Sequence, residues 1–340
     1  MIDRIFTSKQ FEEVQKFLSG ASRFVILTHV SPDGDAMGSS LGMKHYLTSV
    51  GKQATVIVPN AYPSFLAWMP GASDAIIYDQ QPEQADEVLE SAEAVICTDF
   101  NELKRIGDMG ERVLSLKESH PGLPIMMIDH HIVEDKPIAD ILLSVPTSPS
   151  ASELVYRLVG APTTDAATCV YTGMMTDTGN FSFNSNHAEM YEIIADLVRK
   201  GVNKDSIYNA VFNQYSSDRI RLMGYCLHSK MRLYPEYHVA FISLSRRELY
   251  HFNFQSGDGE GLVNQPLQIR DVYYSCFMRE DKDKIKISLR SQGDRPVNTI
   301  SREVFHGGGH MNAAGGEFYG SLQEATRAFM DNFPKYFKKD

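Results

Sequence analysis

Aspartates and histidines recur in this chain at the ends of short apolar runs. Phe24-Val25-Ile26-Leu27-Thr28 leads into His29, with Asp33 and Asp35 after it. Ala94-Val95-Ile96-Cys97-Thr98 leads into Asp99, and Ile125-Met126-Met127-Ile128 into Asp129-His130-His131. Asp35 or Asp99 alone would pass for a helix cap. Two carboxylates and an imidazole fall within seven residues, and like charges that close repel unless a cation neutralises them. His130 and His131, adjacent at a strand end, project differently, so one can ligate a metal while the other faces substrate. Asp177, within Thr172-Gly173-Met174-Met175-Thr176-Asp177-Thr178-Gly179-Asn180-Phe181, falls at a helix C-terminus. An unpaired acid there opposes the helix dipole, and a nearby cation would explain it. His29, Asp33, Asp35, Asp99, His130 and Asp177 together suit two divalent ions sharing one carboxylate. Oxygen-rich ligands with some imidazole favour Mn²⁺ or Mg²⁺, and no cysteine ligand is available for a structural zinc. Two such ions ~3.5–4 Å apart acidify a shared water and clamp the oxygens of a phosphoryl group. The chemistry such a pair would support is metal-assisted phosphoester hydrolysis.

A second constellation lies near the end of the chain, His306-Gly307-Gly308-Gly309-His310-Met311-Asn312-Ala313-Ala314-Gly315-Gly316. Its glycines allow backbone N–H groups to converge on an anion, and His310 can add a donor. The plainer alternative is a flexible turn before a strand. Upstream, Ser288-Leu289-Arg290-Ser291 ends a strand with Arg290, a guanidinium suited to bidentate phosphate binding. Met126, Met127, Met174 and Met175 read as core filling. Lys282, Lys284 and Lys286 read as a water-facing strand edge, Lys338 and Lys339 as a solvated tail, and His187 as a helix start and not a ligand.

The elements that carry these residues alternate. Strands at about 24–28, 54–58, 94–98, 125–128 and 138–143 are separated by helices at 36–50, 83–92 and 101–118. That pattern predicts an α/β fold with a mostly parallel sheet, whose carboxyl edge is the place for ligands. An amphipathic helix over Met1 to Val14, with Ile2, Ile5, Phe6, Phe11 and Val14 apolar, precedes the first strand. Helices near 150–159, 164–176, 187–200, 203–213 and 217–230 follow. Strands at 239–244, 272–278 and 285–289 and helices at 260–269, 296–305 and 321–336 then predict a smaller α/β domain. The expected division is a catalytic domain over 1–200, a helical connector over 201–230 and a substrate-binding domain over 231–340, with a cleft between the domains.

With 340 residues, 43% of them hydrophobic and 22% charged, the chain reads as an ordinary globular protein without a membrane span. Cys97, Cys169, Cys226 and Cys276 are far apart and mostly in apolar stretches, which predicts reduced thiols and a cytoplasmic location. The net charge of −10 resides in the first 225 residues, while the remainder is slightly positive. Such a chain lacks the basic footprint for long duplex nucleic acid. A small anion or a very short oligonucleotide is the natural phosphate-bearing partner.

The motifs HVSPDGDAMGSS, TDF, DHH and TGMMTDTGNF, in that order, resemble the DHH phosphoesterase superfamily. SLRSQG and GGGHMNAAGG resemble its DHH-associated C-terminal domain, so the resemblance covers nearly the whole chain. It implies that His29, Asp33 and Asp99 hold one metal and that Asp35, Asp99, His130 and Asp177 hold the other. Asp129 would orient the imidazoles, and His131 would contact the scissile phosphate or assist the leaving group. Arg290, Ser291, Gly308, Gly309 and His310 would bind the substrate's other phosphate. His306 departs from the pattern, since many members carry glycine there. The short two-domain build is similar to the nanoRNase branch, which hydrolyses oligoribonucleotides of a few residues and dephosphorylates 3′-phosphoadenosine 5′-phosphate (pAp). Alternatives are a cyclic di-AMP or linear dinucleotide phosphodiesterase and, in another class, a non-catalytic nucleotide sensor. A homodimer is left open.

Overall fold

The computed structural model describes residues 5–132 and 138–337 and divides the chain into two compact units, the first ending at Gln214 and the second beginning at Tyr215. The division falls within the stretch expected to be a helical connector. Ile2, Lys338 and Lys339 lie outside the described residues.

The first unit runs α1 (Ser8–Ser19), β1 (Arg23–Leu27), α2 (Gly34–Ser49), β2 (Gln53–Val58), β3 (Ile76–Ile77), α3 (Pro82–Glu90), β4 (Ala94–Thr98), α4 (Met109–Ser119), β5 (Ile125–Asp129) and β6 (Ile141–Ser144). Helices α5 (Ala151–Val159), α6 (Thr164–Asp177), α7 (Ala188–Arg199) and α8 (Lys204–Phe212) complete it. Helix α1 starts later than the apolar spacing predicts, because Thr7 and Gln10 form a reciprocal capping box. Phe6 packs edge-on against Phe11 at 6.0 Å, a hydrophobic staple across the same cap.

All six strands are parallel, in the order β3-β2-β1-β4-β5-β6. Alternate strand residues serve opposite faces. Phe24, Ile26, Ile96, Met126 and Ile128 join the core shared with α1, α2 and α5–α8, whereas Val25, Leu27, Cys97, Ile125 and Met127 join the core under α3 and α4. Both methionine pairs are buried, and all four cysteines are free and buried.

Gly34, Gly38 and Gly42 recur every fourth residue and form one face of α2, turned toward α6. A Cβ at Gly38 would lie 2.7 Å from both the Cys169 carbonyl oxygen and Gly173 Cα. The two helices therefore approach backbone to backbone, which brings Asp35 at the start of α2 toward the end of α6.

The second unit comprises α9 (Ser217–Tyr225), a π-turn over Cys226–Lys230, β7 (Arg232–Tyr234), β8 (Val239–Leu244), α10 (Arg246–His251), a 3₁₀ stretch Leu262–Gln268, β9 (Tyr274–Glu280), β10 (Ile285–Ser291), α11 (Asn298–Phe305), β11 (Gly308–His310), β12 (Ala313–Phe318) and α12 (Leu322–Tyr336). Its sheet has the order β11-β12-β10-β9-β8-β7, antiparallel except for β8 beside β9. Helices α11 and α12 cover one face, and α9 with the 3₁₀ stretch covers the other. Strands β3, β7, β11 and β12 escaped the sequence reading, being two or three residues long or glycine-rich. Lys284, whose side chain is 38% exposed, pairs at the surface with Glu317 on β12. No helix among the described residues is long and apolar enough to cross a membrane.

Two outcomes follow from this packing. Gly38→Ala overpacks the α2–α6 contact and should destabilise the first unit by about 1–3 kcal/mol, read as a lowered denaturation midpoint. In the second unit, burial pushes the Glu248 carboxyl up, but the Lys230 ammonium, the Tyr225 hydroxyl and the Ser245 N–H outweigh it and hold the pKa at about 2. The resulting stability is complete above the unfolded value of 4.5 and is lost as pH falls toward 2. A Glu248→Gln variant should therefore show a flatter acid limb in that interval than the parent, measured by denaturant titration at stepped pH.

Candidate metal centre

Strand order reverses between β1 and β4, and in doubly wound sheets the crevice beyond the carboxyl ends at such a point receives ligands. The register sets Leu27 beside Cys97 and Thr98 beside Ile128. His29, Asp99 and the Asp129–His131 triplet, which end or follow these strands, consequently emerge next to one another.

Asp33 caps α2, its Oδ1 accepting from the N–H groups of Asp35 and Ala36, both at 3.0 Å. Asp35, in the first turn, is buried and carries its carboxylate to the start of α5, where Oδ2 accepts from Ala151 N–H at 2.6 Å and Oδ1 from Ser152 N–H at 2.9 Å. That helix end is prepared by the Ser150 hydroxyl, which accepts from Glu153 N–H at 3.1 Å. Beneath the site the buried hydroxyls of Ser40 on α2 and Thr98 on β4 lie 2.7 Å apart.

Asp99 adopts a left-handed backbone, φ 65°, a conformation that aspartate tolerates better than most residues. One carboxylate oxygen lies 3.3 Å from His29 Nε2 and the other 3.3 Å from His130 Nε2. His130 Nε2 is also 3.6 Å from Asp177 and 3.8 Å from Asp35. The second ring nitrogen of each histidine faces a main-chain carbonyl: His29 Nδ1 that of Val30 at 2.9 Å, His130 Nδ1 that of Ser148 at 3.2 Å. A carbonyl only accepts, so both Nδ1 atoms carry the proton and both Nε2 atoms turn toward the carboxylates. His131 differs: its Nδ1 donates to Asp129 at 2.7 Å, and its ring stands at 69° to that of His130. Asn101 ties down the chain beyond the triplet, donating to the Ile132 carbonyl at 3.1 Å.

Candidate ligand atoms of His29, Asp33 and Asp99 all lie within 4.8 Å of one another, as do those of Asp35, Asp99 and His130, and those of Asp99, Asp129 and His131. Asp99 is common to all three groups. Burial pushes the Asp35 carboxyl well above the usual range, and the charges of Asp99 and Asp177 push it further. Burial acts on Asp99 in the same sense, but the adjacent His130 and His29 outweigh it and hold that carboxyl well below. Both imidazoles are held above their ordinary value, burial being outweighed by Asp99 and its neighbours.

This donor set fits divalent cations. Among the described residues, no donor meets the buried Asp99 Oδ1 or Asp129 Oδ2 in hydrogen-bonding geometry. Asp33, Asp35, Asp99 and Asp177 outnumber the two imidazoles, so protons on His29 and His130 leave an excess of negative charge that a cation balances.

The residues predicted in the second unit also converge. Arg290 and His310 both register with Ala313, one on either side, so the two side chains leave the same face of the sheet about 10 Å apart. Ser291 is engaged in its own turn, its hydroxyl donating to the Arg295 carbonyl and accepting from Asn312 Nδ2. Gly308 and Gly309 form edge strand β11 and not a loose turn. Gly309 has φ 130° with a prospective Cβ 2.5 Å from the Ala313 carbonyl, whereas Gly308 faces open space. His306 takes φ 48°, which explains why glycine suits that position. His187 precedes α7 and faces Glu153 at 3.7 Å.

The sequence carried no sign of the carbonyls of Val30 and Ser148, of the Ala151 and Ser152 N–H groups or of Asn101. Their value comes from chain positions brought together only by folding. The Ser150-x-x-Glu153 spacing, a capping signature, was the one available hint.

A doubly wound sheet with this acid–imidazole cluster at its switch point defines a hydrolase of metal-assisted type. Residues 23–174 match the DHH family N-terminal domain and residues 235–339 the DHHA1 domain, and the chain belongs to the DHH family of phosphoesterases. It is 26% identical to the bifunctional oligoribonuclease and PAP phosphatase NrnA of Bacillus subtilis, over 94% of this chain and 96% of that protein. To NrnA of Thermus thermophilus it is 28% identical over 91% and 87% of the two chains. An exopolyphosphatase-related protein from Bacteroides fragilis, known from its crystal structure, is 46% identical and superposes with a TM-score of 0.91 over 98% of each chain.

Mn²⁺ at a hundredfold excess over its Kd should stabilise the protein by about 2.7 kcal/mol. For a unit of this size that is a rise of ~5–10 °C in Tm. Asp99→Asn should lose most of that increment, as read by calorimetry in Mn²⁺ and in chelator.

Proposed function

We propose that this protein is a divalent-metal-dependent, cytosolic phosphodiesterase that hydrolyses short oligoribonucleotides to mononucleotides and converts pAp to AMP and phosphate. The observation that carries this reading is Asp99, with one oxygen toward His29 and the other toward His130, in a chain matched nearly end to end by NrnA. His29, Asp33 and Asp99 would hold one ion, and Asp35, Asp99, His130 and Asp177 the other, with Mn²⁺ the preferred metal. When bound, such ions supply an acidified water and charge neutralisation at the phosphoryl oxygens.

The remaining work belongs to the chain. Val30 and Ser148 hold the two imidazoles in the tautomer that offers Nε2. The start of α5 fixes Asp35 through two N–H donors, so it keeps its place as charge at the site changes. Asp129 orients His131 by accepting from its Nδ1, leaving Nε2 as the atom to meet the scissile phosphate or to assist the leaving oxygen. Arg290 and His310, on one face of the second sheet, are suited to the substrate's other phosphate, with Gly308 allowing close approach.

A turnover panel in Mn²⁺ tests the proposal, with pAp, oligoribonucleotides of two to five residues, a long RNA and cyclic di-AMP as substrates. Rapid hydrolysis of pAp and the shortest RNAs, with little of the long RNA, is expected. Cyclic di-AMP cut as fast as its linear form would overturn the assignment in favour of a cyclic-dinucleotide phosphodiesterase. Asp99→Ala should bind substrate yet turn over at least about a thousandfold more slowly, and unchanged turnover would dispose of Asp99 as the shared ligand.

A further inference from the structure

The segment that follows Asp177 is strained and closely determined. Gly179, Asn180, Phe181 and Asn184 have φ of 55°, 57°, 61° and 48°, so three side-chain-bearing residues occupy left-handed backbone within five positions. Such conformations persist only where the surroundings over-determine them, and they cluster at ligand-handling sites. Here buried Thr178 organises the turn. Its carbonyl accepts from the N–H groups of Ser182 and Phe183, both at 2.9 Å, and its hydroxyl accepts from Phe181 N–H at 3.0 Å while donating to the Met174 carbonyl. Ser185 closes the loop by donating to the Phe181 carbonyl at 2.8 Å.

The two phenylalanines of this loop have opposite fates. Phe181 turns inward and meets Tyr171 edge-on at 5.6 Å. Phe183 turns outward and is 53% exposed. Its ring rests on Gly179, two residues beyond Asp177, so closely that a Cβ at Gly179 would lie 2.7 Å from the ring. A strained, hydrogen-bonded turn thus presents a half-exposed aromatic ring packed on Gly179, two residues beyond Asp177. Phe181 already supplies the loop's packing against the core, which leaves Phe183 to another role.

We propose that Phe183 is a stacking platform for a nucleobase of the substrate. The inference rests on the nucleotide reading above and adds the residue that tells a nucleotide from a bare sugar phosphate. Single-stranded nucleic acids are recognised by stacking of unpaired bases on aromatic side chains, which tolerates any base because every base presents a π-face. A platform of this kind contributes to binding and not to the chemical step, so it acts on KM and leaves kcat alone.

The test uses the full-length protein in Mn²⁺, with AMP and ribose 5-phosphate as calorimetric probes and pAp as substrate. Wild type should bind AMP about tenfold more tightly than ribose 5-phosphate, Phe183→Ala should lose that preference, and Phe183→Trp should keep it. In Phe183→Ala the KM for pAp should rise by a similar factor with kcat within about twofold. A wild type without the preference, a Phe183→Ala variant that retains it, or one that weakens both probes equally would overturn the assignment. Failure of wild type to hydrolyse pAp or short RNA, with the AMP preference intact and dependent on Phe183, would remove the substrate reading alone. Normal hydrolysis with a preference indifferent to Phe183 would remove only the platform.

Discussion

Carboxylates gathered at the edge of a buried sheet repel one another, and the first unit is built to withstand that repulsion. Asp35 is restrained by two N–H groups at a helix start, where the dipole favours negative charge. Asp99 is flanked by two imidazoles. The helices that carry Asp35 and Asp177 are held at backbone contact by glycines that leave no room for a side chain between them. Loosening any of these would let the acids drift apart, which is the cheapest way for like charges to relax. The rigidity around the cluster is therefore what would let it receive cations as proposed and not remain merely an acidic patch.

Much of this was legible in the sequence, for physical reasons. Apolar runs ending in Asp or His declare buried parallel strands whose polar ends face a common edge, so β1, β4, β5 and their terminal residues were readable before any coordinates. Strand order was not, because which strands neighbour one another depends on crossovers that leave no local trace. Hence the adjacency of β1 and β4, which sets Asp99 against His29, had to come from the structure. The same holds for the restraints on the histidines. A main-chain carbonyl has no residue type, so Val30 and Ser148 could not be singled out. The glycine series of α2 was available as a four-residue repeat, but its meaning required knowing that α6 lay opposite.

The glycine-rich stretch after α11 shows the limit of a motif read by composition. It forms an edge strand, and Gly309 is explained by its closeness to Ala313 and by a backbone angle that other residues avoid. Only Gly308 keeps open space around it, while the cross-strand row through Ala313 brings Arg290 and His310 onto one face. Close packing thus accounts for Gly309, and open space and a shared face distinguish Gly308, Arg290 and His310.

The order of the strands has a consequence for biosynthesis. β1 pairs with β4, seventy residues further along, and the cluster draws on positions from His29 to Asp177. A nascent chain therefore exposes β1 on a ribosome with its central partner still to be made, and the acids meet only after α6 has emerged. Contacts of such long sequence separation form late and slowly. A cation bound as proposed would contribute its binding free energy to the finished fold, joining segments that the chain makes more than a hundred residues apart.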